Sequence, residues 1–480
     1  MPSYDTRVPA VLMRLDRNPF HHGTLGAVRS LGRAGIEVHA VIEAERSPVV
    51  RSRYLRRAHL RPGGERDLTG SPDLTASPYL TGLPDLAETG RLLLDIAGTL
   101  HAPAVLVPMD DLSAIAVDRL GDRLAGRYLL PEQPSGLPER VADKAELARI
   151  CAELGIAHPR TVVPGCAKEA AAAAWSLGLP VVAKWSRPWL LPEGSGLRST
   201  RVVRSPQEAR ELYARGAEAG SALLLQEFLP YGRDLDWFFH GYSGGPGGTC
   251  LVGAAGRKER AWPVGAGLTA VGSWLPNEEV ERTARQIVAA LGYRGILDLD
   301  FRRDAATGAY HLLDFNPRPG AQFRLFADRA GVDVVRALHL DLTGRAVPAQ
   351  VAAHGRRFVV ENYALLSVLS SARSSSPDAP ASPDSPDDDR HPGRRRPLGA
   401  GPRSTEAAWF ALDDPLPACA MAVAWVLHAA RRGWRGLRRA LPSRRRPGHA
   451  GRSRTPPVRQ RRGSRNGAAP GAAPVPRRTR

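Results

Sequence analysis

The first 120 residues alternate between two hydrophobic periods. PAVLMRL (9–15) and EVHAVIE (37–43) are short apolar runs of the kind that form buried strands. Between them TLGAVRSLGRAGI (24–36) repeats apolar positions at helical spacing and stops at Gly35. A second round follows, with a helix over Arg91–Leu100, a buried strand over Ala104–Met109 and a helix in LSAIAVDRL (112–120). This alternation predicts a parallel sheet covered by helices. Residues 61–88, rich in Gly, Pro, Ser and Asp, read as a surface loop.

From about residue 126 the rhythm changes. Helices are expected over Val141–Leu154, Ala167–Leu177 and Pro206–Ala219, and short strands in RTVVPG (160–165), PVVAKW (180–185) and LLLQEFL (223–229). Further strands are expected at Asp236–Tyr242, Leu251–Arg257, Ile296–Arg302 and Tyr310–Phe315, with a helix at Asn277–Leu291. This α+β section ends near Gly344. The predicted organisation is an α/β domain over 1–125 and a two-lobed domain over 126–345, divided into 126–230 and 231–345. A mostly disordered linker (346–404), an amphipathic helical segment (405–441) and a disordered Arg/Pro-rich tail (442–480) follow.

Charge refines this picture. The formal net charge is +19, but residues 371–480 alone hold 23 Arg, no Lys and 8 acidic residues. The body is therefore nearly neutral, and the basic character belongs to the tail. The four cysteines have no metal-ligand spacing, which suits a reducing cytosol. The N-terminus has no leader-like apolar stretch, and the longest apolar block, Ala418–Ala430, has 13 residues, too few to span a bilayer. A cytoplasmic protein is expected. The 405–441 segment reads either as a helix lying on the inner membrane surface or as one packed on the body.

Candidate chemistry falls at few positions. RNPFHHGTLG, after the first strand, is not a dinucleotide fingerprint. His21 and His22 sit there at a strand's carboxyl end, and a structural role is the preferred reading of the pair. The chain has only four lysines (Lys144, Lys168, Lys184 and Lys258), against 63 arginines. Lys144 opens a helix and Lys184 ends an apolar strand, so both suit a phosphate oxygen in a tight pocket. ILDLDFRRDAATGAYHLLDFNPRPG reads as two antiparallel strands turning at Thr307–Gly308. Alternation sets Asp314 and Asn316 on one face, and pairing brings Asp300 near them. Two carboxylates and an amide oxygen suit Mg²⁺, and Arg318 follows within reach of a phosphate or a developing oxyanion.

Lys144 in DKAELARICAELGIAHPRT, Lys184 in PVVAKWS, the loop Pro192–Ser199, the strand QEFLPYGRD and the hairpin ending in DFNPRPG come in an order that resembles the ATP-grasp superfamily of carboxylate–amine ligases. The resemblance covers about residues 126–345, and the N-terminal unit is similar to the Rossmann-like domain that precedes such modules. The resemblance implies that Lys144 and Lys184 hold the α- and β-phosphates of ATP, with Lys184 also catalytic. It implies an adenine site at Gln226, Glu227, Phe228 and Leu229, with Asp234 on the ribose. Asp300, Asp314 and Asn316 would hold two Mg²⁺ ions, or Mn²⁺, with Asp314 bridging where many relatives have Glu. Asp298 would be a lesser ligand or a substrate contact, and Arg318 would neutralise charge as the γ-phosphate moves. The loop 186–200 would close over the phosphates.

Arg257, Lys258, Arg260 and Gln322 are candidates for substrate contacts, each with a solvated or structural alternative. GVDVVRALHLDLTGRAVP and the residues before it resemble the branch containing D-aspartate ligase and related amino-acid ligases. The partners implied are a small carboxylate and an amine, with no specific nucleic acid. Three function classes are in view: a ligase, a polyanion binder acting through the Arg-rich tail, and a degenerate nucleotide-binding module. Truncation at residue 370 is expected to spare a ligase and abolish polyanion binding.

Overall fold

A computed structural model describes residues 2–65, 85–192, 195–245, 248–263, 267–374 and 404–440. Residues 1–429 form one unit, and the described part of the second, 430–440, is helical. The first unit contains three sheets.

The N-terminal sheet is wholly parallel. Its order is β3 (Arg57–Glu65), β2 (Val38–Ala44), β1 (Ala10–Met13), β4 (Ala104–Pro108) and β5 (Tyr128–Leu129). Every residue of β1 and β2 is buried, so neither shows polar alternation. Helices α1 (His22–Arg33), α2 (Leu86–Gly98), α3 (Asp111–Arg119) and α4 (Gly121–Leu124) accompany it. The expected loop at 61–88 begins later than composition suggested. Residues 61–65 finish an edge strand, the position in a sheet where Pro62 is tolerated. Residues 66–84 lie outside the described residues. At the carboxyl ends of β1 and β4, Asp110 caps α3 by accepting from Ser113 N, and it also accepts from Leu15 N at 2.6 Å and Asp16 N at 3.1 Å.

The second sheet is antiparallel, in the order β6 (Thr161–Val162), β9 (Leu223–Glu227), β7 (Val181–Trp185), β8 (Thr200–Val203). The helix expected over 141–154 is two, α5 (Leu137–Ala142) and α6 (Lys144–Leu154). Asp143 between them is extended and caps α6 through Ala145 N and Glu146 N. The helix expected over 206–219 likewise divides into α8 (Pro206–Ala214) and α9 (Gly216–Ala219); α7 (Ala167–Leu177) is as the spacing indicates. Leu137, Val141, Leu147 and Ile150 share a core with Phe239, Val288 and Phe315, so α5 and α6 pack with the third sheet rather than the second.

The third sheet has seven strands: β14 (Tyr310–Asn316), β13 (Gly295–Arg303), β10 (Asp236–Gly244), β11 (Thr249–Trp262), β12 (Leu268–Trp274), β15 (Arg356–Val359) and β16 (Ser404–Ala407). All neighbours are antiparallel except β15 and β16. Helices α10 (Glu278–Leu291), α11 (Val334–Leu342), α12 (Glu361–Ser374) and α13 (Leu416–Ala440) complete the α-helices among the described residues. The lobe therefore does not end at 345, and residues 346–374 are not a disordered linker. RRFV and STEA are too short and too polar to stand out as strands; β16 is the edge strand and pairs only with β15, which also pairs with β12. For the same reason the 405–441 segment opens as strand before it becomes helix. Residues 375–403 and 441–480, where composition predicts disorder, lie outside the described residues.

The returning segment is bolted to the N-terminal domain. Asp414 accepts from Arg29 Nε at 2.9 Å, Ser52 Oγ at 2.7 Å and Arg53 N at 2.9 Å. Trp409 and Met421 lie in the core that holds Leu25 and Val28 of α1. Truncation at 370 would remove these core residues, so it is not the harmless cut that composition suggested.

Candidate functional site

The site candidates gather where α6, the end of β7 and the β13–β14 hairpin meet. Asp143 accepts from Arg187 Nε at 2.8 Å and from the Ser186 hydroxyl, while Lys144 N donates to Ser186 O at 2.9 Å. The cap of α6 is thus stitched to the residues just beyond β7, and this draws the two lysines to the same hairpin. Lys144 forms an ion pair with Asp314. Lys184 Nζ donates to Leu313 O at 3.2 Å. Burial lowers the Lys184 ammonium to about 8; Asp314 pulls the other way and Lys144 adds to the lowering.

The hairpin register pairs Asp300 with Asp314 and Asp298 with Asn316, with an irregularity after Asp300. Lys258 Nζ, from β11, lies 3.7 Å from Asp300 Oδ1. Burial raises the Asp300 carboxyl, and Asp298 and Asp314 raise it further against Lys258. Asn316 is buried and donates its amide to Asp298 O at 3.2 Å. Among the described residues, no three Asp, Glu, His or Cys side chains form a metal centre by themselves. Two cross-strand carboxylates, with phosphate oxygens and water to finish the shell, are nevertheless the kind of donor set Mg²⁺ takes.

Asp298 has a different setting from its neighbours. Its Oδ1 lies 3.1 Å from Nε2 of the fully buried His240 on β10, and its Oδ2 accepts from Arg318 Nη1 at 2.7 Å. Burial pushes this carboxyl up, but His240 and Arg318 outweigh that and hold it at about 2. Arg318 Nε is also 3.3 Å from Asp111 Oδ1 on the first turn of α3. The guanidinium thus spans from the hairpin to the N-terminal domain.

The other candidates lie apart from this cluster. Gln226 is buried and donates to Thr161 Oγ1 at 3.0 Å. Glu227 ion-pairs with Arg160 at 3.0 Å, and the Phe228 ring meets Tyr231 edge-on. The Leu229 carbonyl accepts from Arg302 at 3.0 Å. Asp234 has a left-handed backbone (φ 66°) and pairs with Arg257 at 3.1 Å. The basic trio of β11 does not converge: Arg257 turns to Asp234, Lys258 to Asp300, and Arg260 is exposed at a register shift. Gln322 is buried where a short helical turn, Phe323–Phe326, begins. His21 accepts from Thr24 N and caps α1. His22 is buried among Phe358, Tyr363 and Trp409, where burial lowers it to about 4. Part of the loop 186–200, residues 193–194, lies outside the described residues.

No family model matches the chain. It is 28% identical over 235 residues to formate-dependent phosphoribosylglycinamide formyltransferase from Synechococcus sp. (strain RCC307), a match covering 46% of this chain and 54% of that protein. The chain thus spans about half the length of this curated relative. Among solved structures it resembles Campylobacter jejuni biotin carboxylase with β,γ-ATP, at TM-score 0.52, 14% identity and 72% of each chain covered. It also resembles the biotin carboxylase domain of Hydrogenobacter thermophilus 2-oxoglutarate carboxylase bound to MgADP, ADP and bicarbonate (TM-score 0.51, 18% identity, 71% of each chain). N5-carboxyaminoimidazole ribonucleotide synthetase from Thermus thermophilus aligns at TM-score 0.50 and 16% identity, over 72% of this chain and 80% of that one. The mixed α/β architecture with its two lobes agrees with these likenesses: the chain carries the ATP-grasp fold, preceded by a companion α/β domain.

Proposed function

We propose that this protein is an ATP-dependent carboxylate–amine ligase that produces ADP and forms a carbon–nitrogen bond, with an amino acid or other small carboxylate as substrate. The observation that carries the reading is the meeting of Lys144, at the start of α6, with Asp314 on the hairpin, beside Lys184, Asp300, Asn316 and Arg318. This cluster concentrates cations and hard oxygen donors at one edge of the sheet, as transfer of a highly charged phosphoryl group requires.

In this reading Asp300, Asp314 and Asn316 hold Mg²⁺, which neutralises phosphate charge. The raised Asp300 carboxyl, crowded by two other acids, supports the fit. Lys144 and Lys184 hold phosphate oxygens of ATP. The substrate carboxylate attacks the γ-phosphorus, giving an acyl phosphate and ADP; the amine then attacks the acyl carbon and phosphate leaves. Arg318 stabilises the charge that moves. Gln226, Glu227, Phe228, Leu229 and Asp234 serve the nucleoside, and Lys258 faces the transferred group.

The test is a screen for ADP and phosphate release with purified protein, pairing amino acids and small carboxylates with amines. Release that depends on both partners, and is lost in Lys184→Ala and Arg318→Ala, is the expected result. ATP binding without turnover for any pair would favour a nucleotide-binding module instead. Association with an anionic surface through the C-terminal segment is compatible with this reading and does not replace it.

A further inference from the structure

The exposed face of α13 is built unlike that of α10. On α10 the exposed positions carry Glu278, Glu279, Arg282, Arg285 and Gln286. Residues 415–430, PLPACAMAVAWVLHAA, hold no charged side chain at all. One face of this stretch is already docked: Met421 is buried in the core, and Ala418, Ala424 and Trp425 pack against it. Leu416, Val423, Val426 and Leu427 are each at least half exposed, as are Phe410 and Leu412 before the helix. Packing explains the inner stripe and leaves the outer one without a partner among the described residues.

Leu416, Val423 and Leu427 fall at helical spacing, and after residue 430 the sequence continues as RRGWRGLRRA. The chain also turns strongly basic there. Residues 431–480 hold 17 Arg and no Asp or Glu. No helix among the described residues is long and apolar enough to cross a membrane.

We propose that the exposed stripe of α13 docks on an anionic phospholipid surface, lying in its plane. Arginines alone would serve any polyanion. The uncharged, exposed Leu416, Val423, Val426 and Leu427 gain nothing on a sugar–phosphate backbone, whereas the boundary between lipid headgroups and acyl chains buries them. A second copy of the chain packed in parallel along the same stripe would bring the two basic stretches together. The charge of the stretch after residue 430 draws the protein to the lipid, and the apolar stripe retains it.

The experiment is flotation of the full-length protein with phosphatidylcholine vesicles, with and without phosphatidylglycerol. Binding only to vesicles containing phosphatidylglycerol is expected, weakening with salt. Val423→Asp/Leu427→Asp should bind about tenfold more weakly at an unchanged melting temperature; should the melt fall, Val423→Ser/Leu427→Ser takes its place. Three results would each overturn the proposal: no flotation, equal flotation of the double variant, or binding of RNA without binding of vesicles. Ligase turnover, measured in parallel without lipid, does not depend on this outcome.

Discussion

Arg318 reaches from the turn after β14 to Asp111 at the start of α3, with its Nε 3.3 Å from the carboxylate oxygen. Asp298 holds the other side of the same guanidinium at 2.7 Å, so one cation is fixed by an acid on a strand of the third sheet and an acid on a helix of the N-terminal domain. Asp111→Asn should loosen this placement. A fall in kcat of roughly tenfold is expected, with the KM for ATP little changed, because misplacing a charge that acts in the transition state mainly slows the chemical step. Steady-state kinetics would check this, and an equal rise in KM would contradict it.

Asp314→Asn removes the charge that Lys144 faces and one of the two paired acids of the hairpin. Turnover should drop by at least about a hundredfold. The Mg²⁺ concentration needed for half-maximal nucleotide binding should rise, as isothermal titration at several Mg²⁺ levels would show. Unchanged Mg²⁺ dependence would remove Asp314 from the metal role.

His22 predicts a pH effect on stability. Its ring is buried with Phe358, Tyr363 and Trp409 around it, and burial lowers it from 6.5 to about 4. Between these values the unfolded chain binds a proton that the folded one refuses, so stability is full above pH 6.5 and falls as pH drops towards 4. The loss from this residue is about 3 kcal/mol. His22→Leu should flatten that part of the profile, measured by denaturant unfolding across the same pH window. An unaltered slope would show that other groups set the acid limit.

Asp414→Ala should destabilise the protein by about 3 kcal/mol, because the buried Arg29 loses its carboxylate partner. Truncation after residue 370 should be more damaging, since it also removes Trp409 and Met421 from the core. Truncation after residue 440 should leave both turnover and the melting temperature in place. Thermal melts of the three proteins would separate these outcomes.

The elements of the site that depend on local chain geometry were legible. Alternation sufficed to set Asp314 and Asn316 on one face opposite Asp300, and an Asp followed by helical spacing marked Lys144 as a helix start. Asp111 and His240 were not legible, because their roles come from contacts with residues far along the chain. The divergence of the basic trio of β11 was not legible for another reason. Strict alternation fails where the register shifts, and Arg260 is carried outward there. β15 and β16 escaped notice because polar strands of four residues at or next to a sheet edge carry almost no hydrophobic signal. The acidic and Pro-rich stretch between them gave no reason to expect the chain to return.

That return has a consequence for biosynthesis. Arg29 and Asp414 are 385 positions apart, yet each is the other's buried counter-charge. A ribosome delivers the helix carrying Arg29 long before its partner emerges. Until then the edge at β15 is open and an arginine in the nascent chain has no acid to meet. Maturation of this protein is therefore a closing event: the domain carrying α1 reaches its final state only after residue 414 has been translated.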